Sequence, residues 1–208
     1  MPVESHQIIL QYALEWYTTV QPNSTISTQS LISLHWNPPS TRTCKINTDG
    51  SRSPTSGSIG AGGLLRDTTG EWIKGFSVNL GVGVAPPLVL EAELWSILWG
   101  LTLAWDSGYR NVEVESDSCD AVSLLNSPTI PTHPLFSIIV CCKSNINKDW
   151  RCSINHIYRE QNVAVDALSS RSIDFGPGIH LFETVPDFLK DILYADAMGV
   201  SKHHLVAA

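Results

Sequence analysis

The stretch Cys44-Lys45-Ile46-Asn47-Thr48-Asp49-Gly50-Ser51 decides the reading of this chain. Cys44, Ile46 and Thr48 alternate with Lys45, Asn47 and Asp49, the two-residue period of a strand. Working outward, residues 59–66 and 71–80 read as two further strands. Asp67-Thr68-Thr69-Gly70 joins them as a hairpin turn, with glycine where positive φ is needed. Pro86-Pro87 breaks the pattern, and residues 88–105 read as a long helix ended by Ser107-Gly108. Val112 and Val114 alternate with Glu113 and Glu115 in a fourth strand over 111–116. A short helix over 119–125 follows, then a Pro-bounded loop. Leu135, Ile138, Ile139, Cys142 and Ile146 recur at helical spacing. A fifth strand over 151–158 and a last helix over 162–171 complete the series. Three meandering strands, then strands reached through helices, predict an α/β fold: a mixed five-stranded sheet, three antiparallel strands and then parallel ones, flanked by helices.

The flanks read differently. Residues 1–20 place Ile9, Leu10, Ala13, Leu14, Trp16, Tyr17 and Val20 at intervals suited to one amphipathic helix. Twelve of the 23 residues in 21–43 are Ser, Thr or Pro and only Arg42 is charged, which predicts a linker ended by Trp36-Asn37-Pro38-Pro39. The domain proper is expected over 44–171. Residues 172–208 read as an appendage with one short helix over 187–198.

The whole chain has 208 residues, with Lys+Arg 13 against Asp+Glu 20 and a formal charge of -7. That length suits one domain of ordinary size plus tails. A 43% hydrophobic and 16% charged composition excludes a wholly disordered chain. No run approaches ~18 consecutive apolar residues, so no membrane span is expected. The first residues, MPVESHQIIL, lack the layout of a secretory signal. Five cysteines without a C-x-x-C pair argue against a disulfide framework or a structural zinc site. The expectation is a reduced, intracellular protein of nucleus or cytoplasm, not secreted, with its cysteines buried as small hydrophobes.

Four acids stand where chemistry could gather. Asp49 closes the first strand and Asp117 the fourth, Glu93 lies early in the long helix, and Asp166 lies in the last helix. Binding sites in α/β sheets collect at strand ends. Crowded carboxylates repel, titrate as a coupled set, and are relieved by hard divalent cations, for which oxygen-only ligands select Mg²⁺ or Mn²⁺ over zinc. Each acid alone has a bland alternative, since an Asp at a strand end is usually a turn former or helix cap. Glu91 and Glu93 cannot both join, being two apart on a helix. Glu93 shares its face with Ser96, Gly100 and Ala104, whose small side chains allow close approach to the sheet, whereas Glu91 lies over Trp95, Leu98 and Trp105.

Together, Asn47-Thr48-Asp49-Gly50-Ser51, then Glu91-Ala92-Glu93-Leu94-Trp95, then Val114-Glu115-Ser116-Asp117-Ser118, then the spaced set His156, Arg159, Glu160, Asn162 and Asp166 resemble the type 1 ribonuclease H domain. The form resembled is the reverse-transcriptase-like one of plant retroelement-derived proteins. The likeness runs over about 36–171. It implies a ribonuclease H-like fold and a metal-dependent endonuclease that hydrolyses the RNA strand of RNA–DNA hybrids by a two-metal mechanism, leaving a 5′-phosphate and a 3′-hydroxyl. The implied catalytic set is Asp49, Glu93, Asp117, Asp166 and His156, with the four acids holding two Mg²⁺ ions, or Mn²⁺ in their place. Gly50, Ser51, Ser118 and Asn162 are the implied substrate-binding positions. The implied partner is an RNA–DNA hybrid or other nucleic acid, read by a monomer through the 2′-OH.

Two departures from the family pattern motivate a second reading, a non-catalytic nucleic-acid-binding or interaction module. Val165 stands where a small Ala usually precedes the final Asp. Residues 117–156 carry no basic insertion, holding three Lys/Arg against three Asp/Glu. Over 44–170 there are nine Lys/Arg and thirteen Asp/Glu; setting the four cluster acids aside leaves nine against nine. Hybrid binding is therefore expected to be weak and strongly salt-dependent; nanomolar affinity in a fluorescence titration at physiological salt would contradict this.

Overall fold

Among the described residues, eight strands and five α-helices follow one another, six of the strands in one sheet. In the computed structural model, residues 29–83 and 88–207 are described. The expected helix over 1–20 and the break at Pro86-Pro87 lie outside them. The chain divides into two units, Ser33–Lys202 and a smaller one made of Met1–Ile32 with His203–Ala208. Strands β1 (Gln29–Leu34) and β8 (Lys202–Ala207) pair as a two-stranded sheet. Part of the predicted linker is thus a strand: its Ser-rich text hides a short extended segment, which a Ser/Thr/Pro count cannot distinguish from coil.

The larger unit holds β2 (Cys44–Arg52), β3 (Ser58–Arg66), β4 (Trp72–Val82), β5 (Asn111–Ser116), β6 (Arg151–His156) and β7 (Gly178–Phe182). They form one mixed sheet in the order β6-β5-β2-β3-β4-β7. β2, β3, β4 and β7 are antiparallel in turn, while β5 runs parallel to β2 and β6 parallel to β5. The predicted sheet of five strands is corrected to six. The sixth comes from the segment read as an appendage, which packs into the larger unit through β7 and Leu189, fully buried against Val165 and Leu168.

Helix α1 (Leu88–Asp106) is apolar and long enough to cross a membrane by length and composition, but its inner side is core. Leu94, Ile97 and Leu101 meet Ile46, Val112 and Val114 of the sheet. Each such side chain contributes roughly 1.5–3 kcal/mol on burial. Gly100 allows the close approach that the small-residue face predicted, because a Cβ there would sit 2.8 Å from Ile46. Helices α2 (Cys119–Asn126) and α3 (Phe136–Ile146) cover the same side through Val122, Leu125, Ile138 and Ile139. On the opposite side lie α4 (Val163–Ser170) and α5 (Lys190–Ala197). Val165 is fully buried in their cluster, so its extra bulk fills a satellite core. The cysteine expectation holds for Cys44 and Cys142 and fails for Cys119 and Cys141, which are exposed. Successive helical residues point about 100° apart, so Cys141 faces out where Cys142 faces in.

A buried polar network ties β2, β3 and β5 together. The Lys45 ammonium pairs with Glu115, and Asn47 Nδ2 donates to the same carboxylate at 2.8 Å. Trp36 Nε1 donates to Asn47 Oδ1 at 3.1 Å, and the Arg66 guanidinium lies 3.5 Å over the Trp36 ring. Arg66 Nη2 donates to Asn47 Oδ1 at 2.9 Å and Nη1 to Asp196 of α5 at 2.7 Å. Trp36 is therefore a buried part of the domain and not the end of a linker.

Candidate metal centre at the strand ends

The register of the parallel pair does most of the positioning. Thr48 of β2 lies opposite Ser116 of β5, so Asp49 and Asp117, one residue further on, come side by side. Asp117 is where β5 stops, because Ser118 caps α2 with its hydroxyl accepting from the Ala121 N–H. Glu93 arrives from α1, which lies against β2 at Gly50. A Cβ on that residue would stand 2.4 Å from the Glu93 backbone nitrogen. Glycine at 50 is thus a condition of bringing the helix, and its carboxylate, to the strand end.

Carboxylate oxygens of Asp49, Glu93 and Asp117 lie within 4.8 Å of one another. Each is held. The Ser169 hydroxyl donates to Asp49. The Gly50 N–H and the Ser116 hydroxyl, the latter at 3.5 Å, donate to Glu93. Asn162 Nδ2 donates at 2.9 Å both to Asp117 and to the Thr48 carbonyl, bridging the ends of β2 and β5.

Burial is the main force on Asp49 and Glu93. It pushes the Asp49 carboxyl up to about 7, with the charges of Asp117 and Asp166 adding and the Ser169 hydroxyl and Arg159 opposing. Glu93 is pushed well above the usual carboxylate range, first by burial and then by Asp49 and Asp117. Oxygen-only donors, closely spaced and costly to ionise, fit a hard divalent cation. Asp49, Glu93 and Asp117 could hold it.

A stability signature follows. The folded values exceed the ordinary 3.8 and 4.5, so the native state keeps protons that the unfolded chain releases from about pH 4 to 7. Stability of the metal-free protein must fall as pH rises through that window. Melting in chelator is expected to be higher at about pH 5 than at about pH 8, with added Mg²⁺ helping more at the higher pH. A melting temperature that climbs with pH in chelator contradicts this.

The other expected residues divide. Asp166 stands outside the three-acid group: its Oδ1 accepts from Arg159 Nη2 at 2.7 Å. His156 ends β6 in register with Ser116, so it stands exposed at the same edge, its ring edge-on to Tyr158. The Ser51 hydroxyl donates to the Ser169 carbonyl at 2.7 Å, and the Ser118 N–H donates to the Ser116 hydroxyl at 3.1 Å. Sequence reading assigned no role to Ser169, Ser116 or Arg159. Ser116 and Arg159 lie inside the quoted motifs; Ser169 lies one helical turn beyond Asp166, and only folding places it against Asp49.

Residues 47–172 match the family described as reverse transcriptase-like. An Arabidopsis thaliana protein provisionally named a ribonuclease H protein is 35% identical over 199 residues, which is 94% of this chain and 32% of that protein. The chain thus spans about a third of the length of this relative. Among solved structures, it is similar to RNase H1 of Halobacterium salinarum (22% identity, TM-score 0.58, 64% of this chain and 98% of that one). It is also similar to the N-terminal RNase H domain of a Mycobacterium tuberculosis protein (21%, TM-score 0.55, 64% and 94%). A third likeness is to an RNase H1 isolated from compost, solved with an RNA/DNA hybrid (22%, TM-score 0.50, 63% and 96%). These likenesses establish a ribonuclease H-like fold.

Proposed function

Since the chain belongs to the reverse transcriptase-like family, we propose that it is a metal-dependent endonuclease acting on the RNA strand of RNA–DNA hybrids. The observation that carries this is the convergence of Asp49, Glu93 and Asp117 at one sheet edge. The hybrid solved with the compost RNase H1 supports the choice of substrate class.

In this reading Asp49, Glu93 and Asp117 hold divalent cations, Mg²⁺ or Mn²⁺, with Asp166 completing the set. A cation held there would supply an activated water and charge stabilisation for the departing 3′ oxygen. The protein's own part is positioning. Ser169 orients Asp49, Gly50 N–H and Ser116 orient Glu93, and Asn162 fixes Asp117 against the end of β2. His156, exposed beside this edge, takes or returns a proton at an imidazole nitrogen. Gly50, Ser51 and Ser118 line the substrate side, while Asn162, expected there too, is buried and acts on it through Asp117.

The test is a labelled RNA–DNA hybrid incubated with purified protein and Mg²⁺, beside the matching DNA duplex. Internal cuts confined to the RNA strand, with 5′-phosphate ends, are expected. An intact hybrid that stays bound at saturating Mg²⁺ and Mn²⁺ overturns the nuclease and leaves a binding module.

A further inference from the structure

The fourth acid is not idle. Asp166 sits in the first turn of α4, while Arg159 lies on the 3-10 turn Arg159–Gln161 that leads into that helix. Their ion pair is tight, 2.7 Å, but open to water, with the Arg159 side chain 75% exposed. The Arg159 charge also reaches past its partner. It stabilises ionised Asp49, and Asp49 and Asp117 in turn stabilise the guanidinium. The buried cations of the described residues, Lys45 and Arg66, are committed to Glu115 and Asp196. One arginine therefore stands beside the acid group, and it takes the carboxylate that the group leaves out.

We propose that Arg159 is a built-in counter-ion of the acid cluster: it holds Asp166 until a divalent cation displaces it. The proposal rests on the reading of the cluster as a metal centre. A cation that uses Asp166 must first break the ion pair, so Arg159 weakens apparent metal affinity while stabilising the metal-free protein. An ion pair this exposed opens readily, which suits a contact that must be exchanged. Arg159 is in this sense a positioning residue acting through Asp166.

Mg²⁺ titration of the wild type, Arg159→Gln and Arg159→Lys, followed by calorimetry and by melting, tests it. Arg159→Gln is expected to lower the half-saturating Mg²⁺ concentration about three- to tenfold, the scale on which one partly solvated charge acts on a divalent ion. Arg159→Lys keeps the charge and should stay within about twofold. In chelator Arg159→Gln should melt about 2–4 °C below the wild type, with saturating Mg²⁺ closing the gap. An Arg159→Gln protein with unchanged Mg²⁺ demand, or with a melting gap that Mg²⁺ leaves open, overturns the counter-ion. If no variant responds to Mg²⁺ or Mn²⁺, the metal reading fails separately. The counter-ion is then judged in chelator by a double-mutant cycle with Asp166→Asn: coupling between the two sites upholds it and additivity overturns it.

Discussion

Asp49→Asn is expected to cut hybrid cleavage by roughly three orders of magnitude or more, beyond the 10–100-fold typical of groups that only orient ligands. The substitution keeps the shape of the side chain and leaves an amide oxygen for the Ser169 hydroxyl. What it removes is the charge beside Glu93 and Asp117. In the metal-free protein the same change should stabilise the fold. Asp49 is a buried carboxylate pushed up to about 7, and its ionised form is a burden on the native state near neutral pH. Activity and melting temperature in chelator are thus expected to move in opposite directions. A merely structural acid would lose both or neither. An Asp49→Asn protein that cleaves hybrid at near the wild-type rate sinks the metal centre.

The largest expected loss of stability is remote from that edge. Asp196→Ala should destabilise the protein by about 3–5 kcal/mol, measured by urea or thermal unfolding. Arg66 is 1% exposed, and Asp196 is the carboxylate that pairs with it. Without that partner the guanidinium keeps only Asn47 and the Trp36 face, and its Nε already lacks a protein partner. Replacing both ends with apolar residues, Arg66→Met with Asp196→Leu, should recover much of the loss, since the cost lies in stranding a buried charge. A loss below about 1 kcal/mol in Asp196→Ala contradicts the assignment. The network also bears on the centre: Asn47 and Glu115 each stand two residues before Asp49 and Asp117 on the paired strands. Loosening it should slow cleavage as well, by less than the loss of a cluster acid.

Most elements were legible because their periods are strong. β2 and β5 alternate, α3 carries apolar residues at helical spacing, and α1 is a long apolar run between Pro86-Pro87 and Ser107-Gly108. The sixth strand was not. On edge strand β7, Ile179 and Leu181 point outward while His180 and Phe182 turn toward Phe175, so the apolar pattern is inverted and gives no signal. Strand β1 hid in Ser-rich text for a similar reason. Short strands are made by their partners, and partners are remote in sequence.

Which acids exist, their order along the chain, and the helices and strands that carry them can be read from the residues in order. Local patterning and motif spacing suffice for that. That Asp49, Glu93 and Asp117 meet while Asp166 turns to Arg159 is a choice made in folding. That choice rests on a parallel register, on the bare backbone of Gly50 under α1, and on the path of the turn before α4. Each is a distance between atoms far apart in the chain or in different elements, and such distances are set when the sheet closes.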